Sequence, residues 1–324
     1  MDKKTKKIAL IMLLCFIVIV VSALAAFLII TLQPSKTEEI YNPQINPGDF
    51  VSKVSNKYLT FTPGKKFVYK GETEEGTERV EVYVTHDTKK VMGVNAIVVW
   101  DRVWLNNELI EDTKDWFAQD KYGNVWYFGE DSKDIVNGKV VSTKGSWEAG
   151  VDGAKPGIVM KANPQAGDNY RQEYYKGKAE DMAEILGFGA KIKVPYGTFE
   201  NCLQTRDWNP LEPGADEHKY YCPAIGNVVL EVGVKDGNKV YLVDVITNAE
   251  QAQTEKEPVE ELKTGITEQE AIEIALKAVD GEMTDVSIEK KFGKAAYVVE
   301  IDADGTETDV TIDIETGKVL GIET

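Results

Sequence analysis

The longest apolar stretch of the chain lies close to its N-terminus. Residues 8–32 are 25 consecutive positions whose only polar side chains are Ser22 and Thr31. As a helix this stretch would be about 37 Å long, which exceeds the thickness of about 30 Å of the hydrocarbon core of a bilayer. The pattern therefore predicts a transmembrane helix over residues 8–32.

From residue 49 to residue 247 the pattern changes to short apolar runs separated by turn residues. Residues 80–84 alternate between apolar and polar side chains, residues 96–100 are continuously apolar, and residues 120–124 have the composition of a turn. Regularly spaced runs of this kind are typical of antiparallel strands. We predict a β-rich domain over residues 49–247, built as a curved antiparallel sheet or half-barrel. Residues 178–187 predict one short helix within it.

Two polar segments flank this domain. Residues 33–48 contain three prolines and predict a stiff spacer after the apolar stretch. Residues 248–264 are rich in Gln, Glu, Lys and Thr and contain almost no apolar side chain, so they cannot build a packed core. We interpret them as an acidic linker.

The C-terminal segment, residues 265–324, predicts a small α+β domain. Thr267 and Glu270 have the spacing of a capping box, in which each side chain accepts a hydrogen bond from the backbone N–H of the other residue. Apolar residues then recur at helical spacing, and three alternating runs follow. The pattern predicts one helix packed on a meander of three or four strands.

The charges around the apolar stretch predict its orientation. Residues 1–7 contain four lysines, whereas the segment after the stretch offers Lys36 together with Glu38 and Glu39. Basic flanks stay on the cytoplasmic side of a membrane. We expect a single-pass protein in the cell membrane with a cytoplasmic N-terminus and its bulk outside the cytoplasm.

Two alternatives to an uncleaved anchor depend on small residues within the stretch. Residues 23–25 could serve as the cleavage site of a secretory signal, but the apolar run continues through residues 27–30. Cys15 could be the modified residue of a lipoprotein, but it follows Leu14 in the middle of the run. The length of the run and its basic flank favour a signal anchor.

The net charge of −17 restricts the partners of the protein. Residues 1–33 carry a net charge of +3, so the remaining residues carry −20. This acidity argues against nucleic acid and against anionic membrane surfaces as partners. Only four of the 37 basic residues are arginines, so few bidentate clamps for phosphate or carboxylate are available.

Outside the apolar stretch the chain has two cysteines, Cys202 and Cys222. Both lie in a predicted hairpin whose connection is centred on Glu212, which places the two residues opposite each other. In an oxidising compartment such a pair forms a disulfide. A metal or redox site is the alternative, but neither a C-x-x-C spacing nor two further ligands accompany the pair.

The C-terminal segment resembles the PepSY domain. The resemblance covers about residues 265–323 and depends on the sequence around Thr267 and Glu270, on the alternating run 297–301 and on residues 310–319. The family occurs in propeptides of secreted proteases and in membrane-anchored surface proteins. The resemblance implies modulation of a separate protease or docking to an envelope protein, without a catalytic residue in the module.

The middle domain resembles a group of secreted or membrane-anchored prokaryotic β-rich proteins that have no assigned activity. The matching stretches include residues 115–120, 145–153, 171–174 and 194–199. The pattern of the sheet is also similar to half-barrels that carry lipophilic cargo. Likeness of fold does not assign a function.

The strongest candidate for a ligand platform is a group of aromatic side chains in the β-rich domain, comprising Trp116, Trp126, Phe128 and Trp147. Trp126 and Phe128 share one face of a strand because side chains alternate along it. A concave aromatic face would suit an apolar or carbohydrate ligand. Aromatic pairing across strands within a core is the alternative explanation.

No catalytic constellation is evident. Glu148 and Glu173 are candidates for a glycosidase pair, which would need a fixed separation of the two carboxyl groups. His86 and His218 have no motif that connects either of them to a nucleophile. Residues 302–307 depart from the spacing of a calcium loop and predict a hairpin turn. The sequence indicates no cofactor and no metal site.

Together these patterns favour a membrane-anchored extracytoplasmic protein with a binding or regulatory role, not an enzyme. The expected partners are the membrane, through residues 8–32, and an envelope protease or surface protein. An apolar or glycan ligand is also expected, and nucleic acid is not. One alternative is a carrier or sensor of an apolar or lipid ligand held in the half-barrel. The other is an envelope glycan hydrolase.

Overall fold

The computed structural model describes residues 41–73, 76–214, 216–249, 265–292, 294–303 and 305–324. The predicted transmembrane helix at residues 8–32, the basic flank at residues 1–7, and residues 33–40 and 250–264 of the two polar segments lie outside the described residues. Within the described ranges, no helix has the length and apolar character needed to cross a bilayer.

The region predicted to be β-rich contains eighteen described strands after a short 3-10 turn at Pro47–Asp49. In chain order they are β1 (Phe50–Val51), β2 (Val54–Ser55), β3 (Thr60–Phe61), β4 (Lys66–Thr73), β5 (Gly76–Val91), β6 (Val94–Leu105), β7 (Glu108–Asp120), β8 (Val125–Val136), β9 (Lys139–Ser142), β10 (Trp147–Glu148), β11 (Lys155–Met160), β12 (Asn169–Arg171), β13 (Glu173–Tyr174), β14 (Met182–Val194), β15 (Gly197–Trp208), β16 (Asp216–Cys222), β17 (Asn227–Gly233) and β18 (Lys239–Ile246).

These strands form one nearly closed, curved antiparallel sheet, with β2 and β3 as a separate ribbon. Its order is β12-β14-β15-β16-β17-β18-β4-β5-β6-β7-β8-β11-β13, and β1, β9 and β10 pair at its margin with β7 or β8. The end strands β12 and β13 are consecutive in the chain and are separated only by Gln172. The two ends of the sheet therefore meet, and the prediction of a mainly β, curved sheet is confirmed.

A close backbone contact marks the place where the two ends meet. A Cβ atom at Gly157 on β11 would lie 2.3 Å from the carbonyl carbon of Gln172. Such a distance is far below van der Waals contact, so only glycine fits at this position. Gln172 also donates its backbone N–H to the carbonyl oxygen of Asp181 over 2.7 Å.

Strand β6 shows why the run at residues 96–100 is continuously apolar. Ile97 and Val99 belong to the main core on the inner side of the sheet. Ala96 and Val98 belong to a second core that packs on its outer side. A strand covered on both faces cannot alternate between apolar and polar residues, because each face is removed from water.

The helix predicted over residues 178–187 is wrong. The structure has a turn and an isolated bridge at Ala179, and strand β14 from Met182 onward, with Ala183 opposite Asp207 and Ile185 opposite Thr205 on β15. Ala183 and Ile185 are fully buried, so burial follows the period of two that is typical of a strand. Pairing with β15 outweighs the local preference of Ala, Met and Leu for a helix.

The predicted disulfide between Cys202 and Cys222 is present. It joins β15 to β16, and the neighbouring pair Leu203–Tyr221 fixes the register that places the two cysteines opposite each other. Both cysteines are fully buried. The disulfide therefore lies inside the main core.

The C-terminal segment folds as predicted, into a helix and a four-stranded meander. Helix α1 is Glu268–Ala278, and the strands are β19 (Glu282–Lys291), β20 (Lys294–Ala303), β21 (Thr306–Asp313) and β22 (Val319–Glu323), paired in chain order. Thr267 and Glu270 form the reciprocal capping box at the start of the helix. Ala271 and Ala275 of α1 pack with Val299 and Ile301 in a core of their own.

Candidate functional site

The concave side of the curved sheet borders a partly open cavity of about 610 Å³. Strands β4 to β8 form one side of it, and β15 to β18 contribute to the other. Leu59 and Phe61, from the segment around β3, also line it. Cavities of this volume are typical of sites for small-molecule ligands.

The lining residues divide into two chemical groups. The apolar and aromatic group includes Leu59, Phe61, Tyr69, Val80, Val82, Val99, Val103, Ile110, Phe117, Tyr127, Val159, Tyr221, Val228 and Val240. The carboxylic group comprises Glu78, Asp101, Glu111, Asp115, Glu173, Asp181, Asp207 and Glu231. The cavity is therefore apolar and acidic at once.

Strand alternation places members of both groups on the same face. Along β6, Val99, Asp101 and Val103 all line the cavity, because side chains two positions apart point the same way. Asp101 lies opposite Val82 of β5, and Val99 lies opposite Asp115 of β7. A carboxyl group is thus placed among aliphatic side chains.

Lys219 on β16 is the one cationic side chain among the lining residues. Its Nζ lies 3.6 Å from Glu231, 3.9 Å from Asp207 and 3.3 Å from Glu217. Burial lowers the pKa of Lys219, but the carboxylates of Glu231 and Glu217 outweigh burial and hold this pKa well above its usual value. Lys219 is therefore charged and already paired with carboxylates.

A hydroxyl bridges two carboxyl groups at the margin of the cavity. The Tyr127 hydroxyl lies 2.7 Å from Oδ1 of Asp115 and 2.8 Å from Oε2 of Glu130. Burial raises the pKa of Asp115 to about 7 and that of Glu130 to about 9, and in each case a neighbouring carboxylate adds to the effect. Asp115 and Glu130 are direct neighbours across β7 and β8, so their charges repel each other.

Other lining carboxyl groups are perturbed in the same direction. Burial raises the pKa of Glu173 to about 8, that of Glu231 to about 7 and that of Asp181 to about 6. Near neutral pH the cavity therefore holds several exchangeable protons. Clustered groups with shifted pKa values are typical of functional sites.

Asp101 differs from the other lining carboxyl groups. Its Oδ1 atom is inaccessible to solvent and has no hydrogen-bond partner within the described part of the chain. Burial raises the pKa of Asp101 well above its usual value, and the charge of Asp115 adds to the effect. A buried polar atom without a partner is costly, which makes its presence informative.

The aromatic residues singled out from the sequence lie elsewhere. Trp116, Phe128 and Trp147 are buried in the second core, on the outer side of the sheet, and Trp126 packs against that core. None of the four is among the residues that line the cavity. Their assignment to a ligand platform stays a prediction.

The residues considered for catalysis are not brought together in the cavity. Glu173 lines it, whereas Glu148 is not among the lining residues and forms an ion pair of 2.8 Å with Lys89. His86 is exposed, and His218 lies opposite Arg206 across β15 and β16. In the described ranges, no group of three or more His, Cys, Asp or Glu side chains could hold a metal ion.

Apart from Glu173, sequence reasoning missed the interior carboxyl groups. The chain has 54 acidic residues, and most acidic side chains of a folded protein are solvated. The one available signal was an acidic residue at an inward position of a strand, such as Asp101 two positions after Val99. To recognise a position as inward, one needs the register and the curvature of the sheet, which the sequence alone did not provide.

Comparison with known proteins identifies the C-terminal module. Residues 265–323 match the family model described as "Peptidase propeptide and YPEB domain", or PepSY. These residues are a PepSY domain, in agreement with the helix, the meander and the capping box seen in the structure. Domains of this kind are not themselves catalytic.

Two individual proteins show partial similarity. The uncharacterized protein YkoJ of Bacillus subtilis (strain 168) is 44% identical over 55 residues, which is 17% of this chain and 32% of the relative. This chain thus spans about a third of the length of that relative. A candidate lipoprotein of Clostridium difficile 630, known from a crystal structure, is 19% identical over 44% of this chain and 79% of its own, with a TM-score of 0.19.

Proposed function

We propose that this protein is an extracytoplasmic binding and regulatory protein in which the interior cavity of the curved sheet holds a small ligand. The observation that carries the proposal is the cavity of about 610 Å³, because its walls combine apolar surface with a few converging polar groups. The disulfide between Cys202 and Cys222 favours an oxidising compartment. The anchor predicted at residues 8–32 would hold the protein at the outer side of the cell membrane.

In this proposal the PepSY domain contacts another protein of the envelope, and a protease is the first candidate because the family includes propeptides of peptidases. The domain presents exposed apolar side chains that suit such a contact. Phe292, between β19 and β20, is 67% exposed, and Ile322 on β22 is 49% exposed.

Native mass spectrometry of the whole protein, purified from its host in a mild detergent, tests the cavity. We expect an adduct of small mass on the wild-type protein and on Val234→Phe, whose site is an exposed position after β17. Val80 lines the cavity, so Val80→Phe places a larger side chain in the cavity and should abolish the adduct. Urea unfolding shows whether this variant is folded. Retention of the adduct by a folded Val80→Phe would place the ligand elsewhere and overturn the proposal.

Photo-crosslinking in intact cells tests the PepSY domain. A photoreactive residue at position 292 should capture an envelope protein. The same residue at position 122 is the control, because Tyr122 is also an aromatic side chain that is 67% exposed but lies in the β-rich domain. Identical crosslinking patterns at the two positions would count against a partner specific to the PepSY domain.

A further inference from the structure

Acidic groups greatly outnumber basic groups on the lining of the cavity. Eight carboxyl groups face it and one cation, Lys219, is present among the lining residues. Lys219 forms salt bridges with Asp207 and Glu231 on this lining. None of the other six lining carboxyl groups has a salt bridge among the described residues. These six are Glu78, Asp101, Glu111, Asp115, Glu173 and Asp181.

One carboxylate oxygen in particular lacks a partner. Oδ1 of Asp101 is inaccessible to solvent and accepts no hydrogen bond from the residues that the structure describes, and Asp101 is one of the residues that line the cavity. The other nearby carboxyl groups are better satisfied: Asp207, for example, accepts hydrogen bonds from Thr205 and Gln172. The carboxyl group of Asp101 is therefore the place on the lining where a ligand could donate a hydrogen bond or bring a positive charge.

Aromatic side chains line the same cavity. Tyr69, Phe117, Tyr127 and Tyr221 border it together with Phe61. The faces of aromatic rings attract cations, and the attraction grows when water is excluded. Carboxylates and aromatic rings around an apolar space are the combination that recognises organic ammonium groups.

From this arrangement we infer that the ligand of the cavity is an organic ammonium ion, meaning an amine or quaternary ammonium that carries apolar substituents. The inference depends on the proposed function, because it requires the cavity to be the ligand site, and it adds the chemical class of the ligand. A purely apolar ligand would leave Asp101 unpaired and would bury more carboxylate without compensation. An anion would be repelled by the lining, and the described residues offer no metal-binding cluster.

The shifted acid groups make binding sensitive to pH. Burial raises the pKa of Asp115 to about 7 and that of Glu173 to about 8. The groups that face the cation site are the eight lining carboxyl groups, Lys219 and the tyrosines. A cation favours the ionised carboxylates, so its binding releases protons near neutral pH.

Isothermal titration calorimetry on the whole protein in nanodiscs tests the inference. The probe is benzyltrimethylammonium, whose charge does not depend on pH, and the comparison is neopentylbenzene, which has the same shape without the charge. At pH 8.5 we expect one molecule of the cation to bind per protein. The neutral compound should bind at least about tenfold more weakly, because it leaves the carboxylates unpaired.

A matched pair of variants locates the effect. Asp101→Asn should weaken binding of the cation by at least about tenfold, since the amide cannot ionise and so cannot supply the negative charge that pairs with the cation. Asp131→Asn is the control: Asp131 lies on β8, pairs with Lys133 over 2.7 Å and does not line the cavity. Asp131→Asn should bind the cation as the wild type does, and urea unfolding establishes that both variants are folded.

The pH dependence provides an independent readout. Affinity for the cation should fall by at least about tenfold between pH 8.5 and pH 5.5, whereas affinity for neopentylbenzene should not change. Equal affinity for the two compounds, or unchanged cation binding by Asp101→Asn, would overturn the ammonium class and leave the cavity intact as a ligand site. The natural adduct is measured separately with Val80→Phe. Failure of the proposed function can therefore be distinguished from failure of the ammonium inference.

Discussion

The hydroxyl oxygen of Tyr127 lies 2.8 Å from Oε2 of Glu130. The same oxygen lies 2.7 Å from Oδ1 of Asp115, and a hydroxyl has only one proton to donate. Both contacts can be hydrogen bonds only when one of the two carboxyl groups is protonated and donates to the tyrosine. Burial raises the pKa of Glu130 to about 9, so Glu130 is the group that holds the proton at neutral pH.

The stability of the β-rich domain should decrease as the pH rises. Folding raises the pKa of Glu130 to about 9, that of Glu173 to about 8 and that of Asp115 to about 7, all from ordinary values near 4. The folded state therefore binds more protons than the unfolded state between about pH 4 and pH 9, and its stability is lost through that interval. Urea unfolding at pH 5, 7 and 9, followed by tryptophan fluorescence, measures this. All six tryptophans lie within residues 49–247.

Glu130→Gln should flatten this pH dependence. The amide cannot ionise, but it can still donate a hydrogen bond to the hydroxyl of Tyr127. The slope of unfolding free energy against pH should decrease by up to about one proton. Glu148→Gln is the matched control, because Glu148 is partly exposed and pairs with Lys89 at the surface. The same slope in Glu130→Gln and in the wild type would mean that Glu130 does not hold the proton.

Removal of the disulfide should destabilise the β-rich domain. Cys202 and Cys222 are 20 positions apart, and closing a loop of that length stabilises a protein by about 3 kcal/mol. The double variant Cys202→Ala/Cys222→Ala should lose about this free energy of unfolding. Reduction of the wild-type protein under mild denaturation should have the same effect, whereas reductant should not affect the double variant. Equal urea midpoints for oxidised and reduced wild type would contradict the prediction.

The contribution of the second core to stability can be measured separately from ligand binding. Phe128 is fully buried there, and its ring centroid lies 5.4 Å from that of Phe50 in an edge-to-face contact. Phe128→Leu should lower the free energy of unfolding by about 1–3 kcal/mol and leave the natural adduct in place. Tyr122→Leu, at an exposed position, should change neither quantity. Loss of the adduct from a folded Phe128→Leu would support the ligand platform that the sequence suggested.

The capping box of the PepSY domain should control the local stability of helix α1. The Thr267 hydroxyl accepts the backbone N–H of Glu270 over 3.2 Å, and the Glu270 carboxylate accepts the N–H of Thr267 over 2.8 Å. Thr267→Ala should cost about 1 kcal/mol, seen as faster hydrogen exchange across residues 268–278. Thr267→Ser retains the hydroxyl and should exchange as the wild type does. Uniform acceleration across β19 to β22 as well would indicate a global effect instead.

Local patterns were sufficient wherever a segment carries its own signal. The capping box at Thr267, the turn before Val125 and the pairing of Cys202 with Cys222 depend on residues close in sequence or in one hairpin. The prediction failed around Ala183 because Ala, Met and Leu favour a helix locally, whereas no cysteine pair or turn motif in the sequence marks the pairing with Asp207 at the open end of the β14–β15 hairpin. Pairing between strands outweighs the preference of individual residues for a helix.

The interior site could not be predicted for a related reason. Asp101 and Lys219 are far apart in sequence, and only the closure of the sheet brings them to one cavity. The aromatic side chains around Trp116 gave a stronger signal in the sequence because such residues are rare, whereas carboxyl groups are abundant. The rare aromatic residues therefore predicted a site in what is a packed core, whereas the abundant carboxyl groups gave no distinct signal for the cavity.

Strand β4 pairs with strand β18, so that Phe67 lies beside Val245 at the middle of the sheet order. The first and the last long strands of the domain are therefore neighbours in space. A growing chain cannot complete this sheet until residues 239–246 have been synthesised, and contacts between such distant segments form slowly. The nascent protein consequently passes through a long stage with unpaired strand edges, in which chaperones and proteases can act on it.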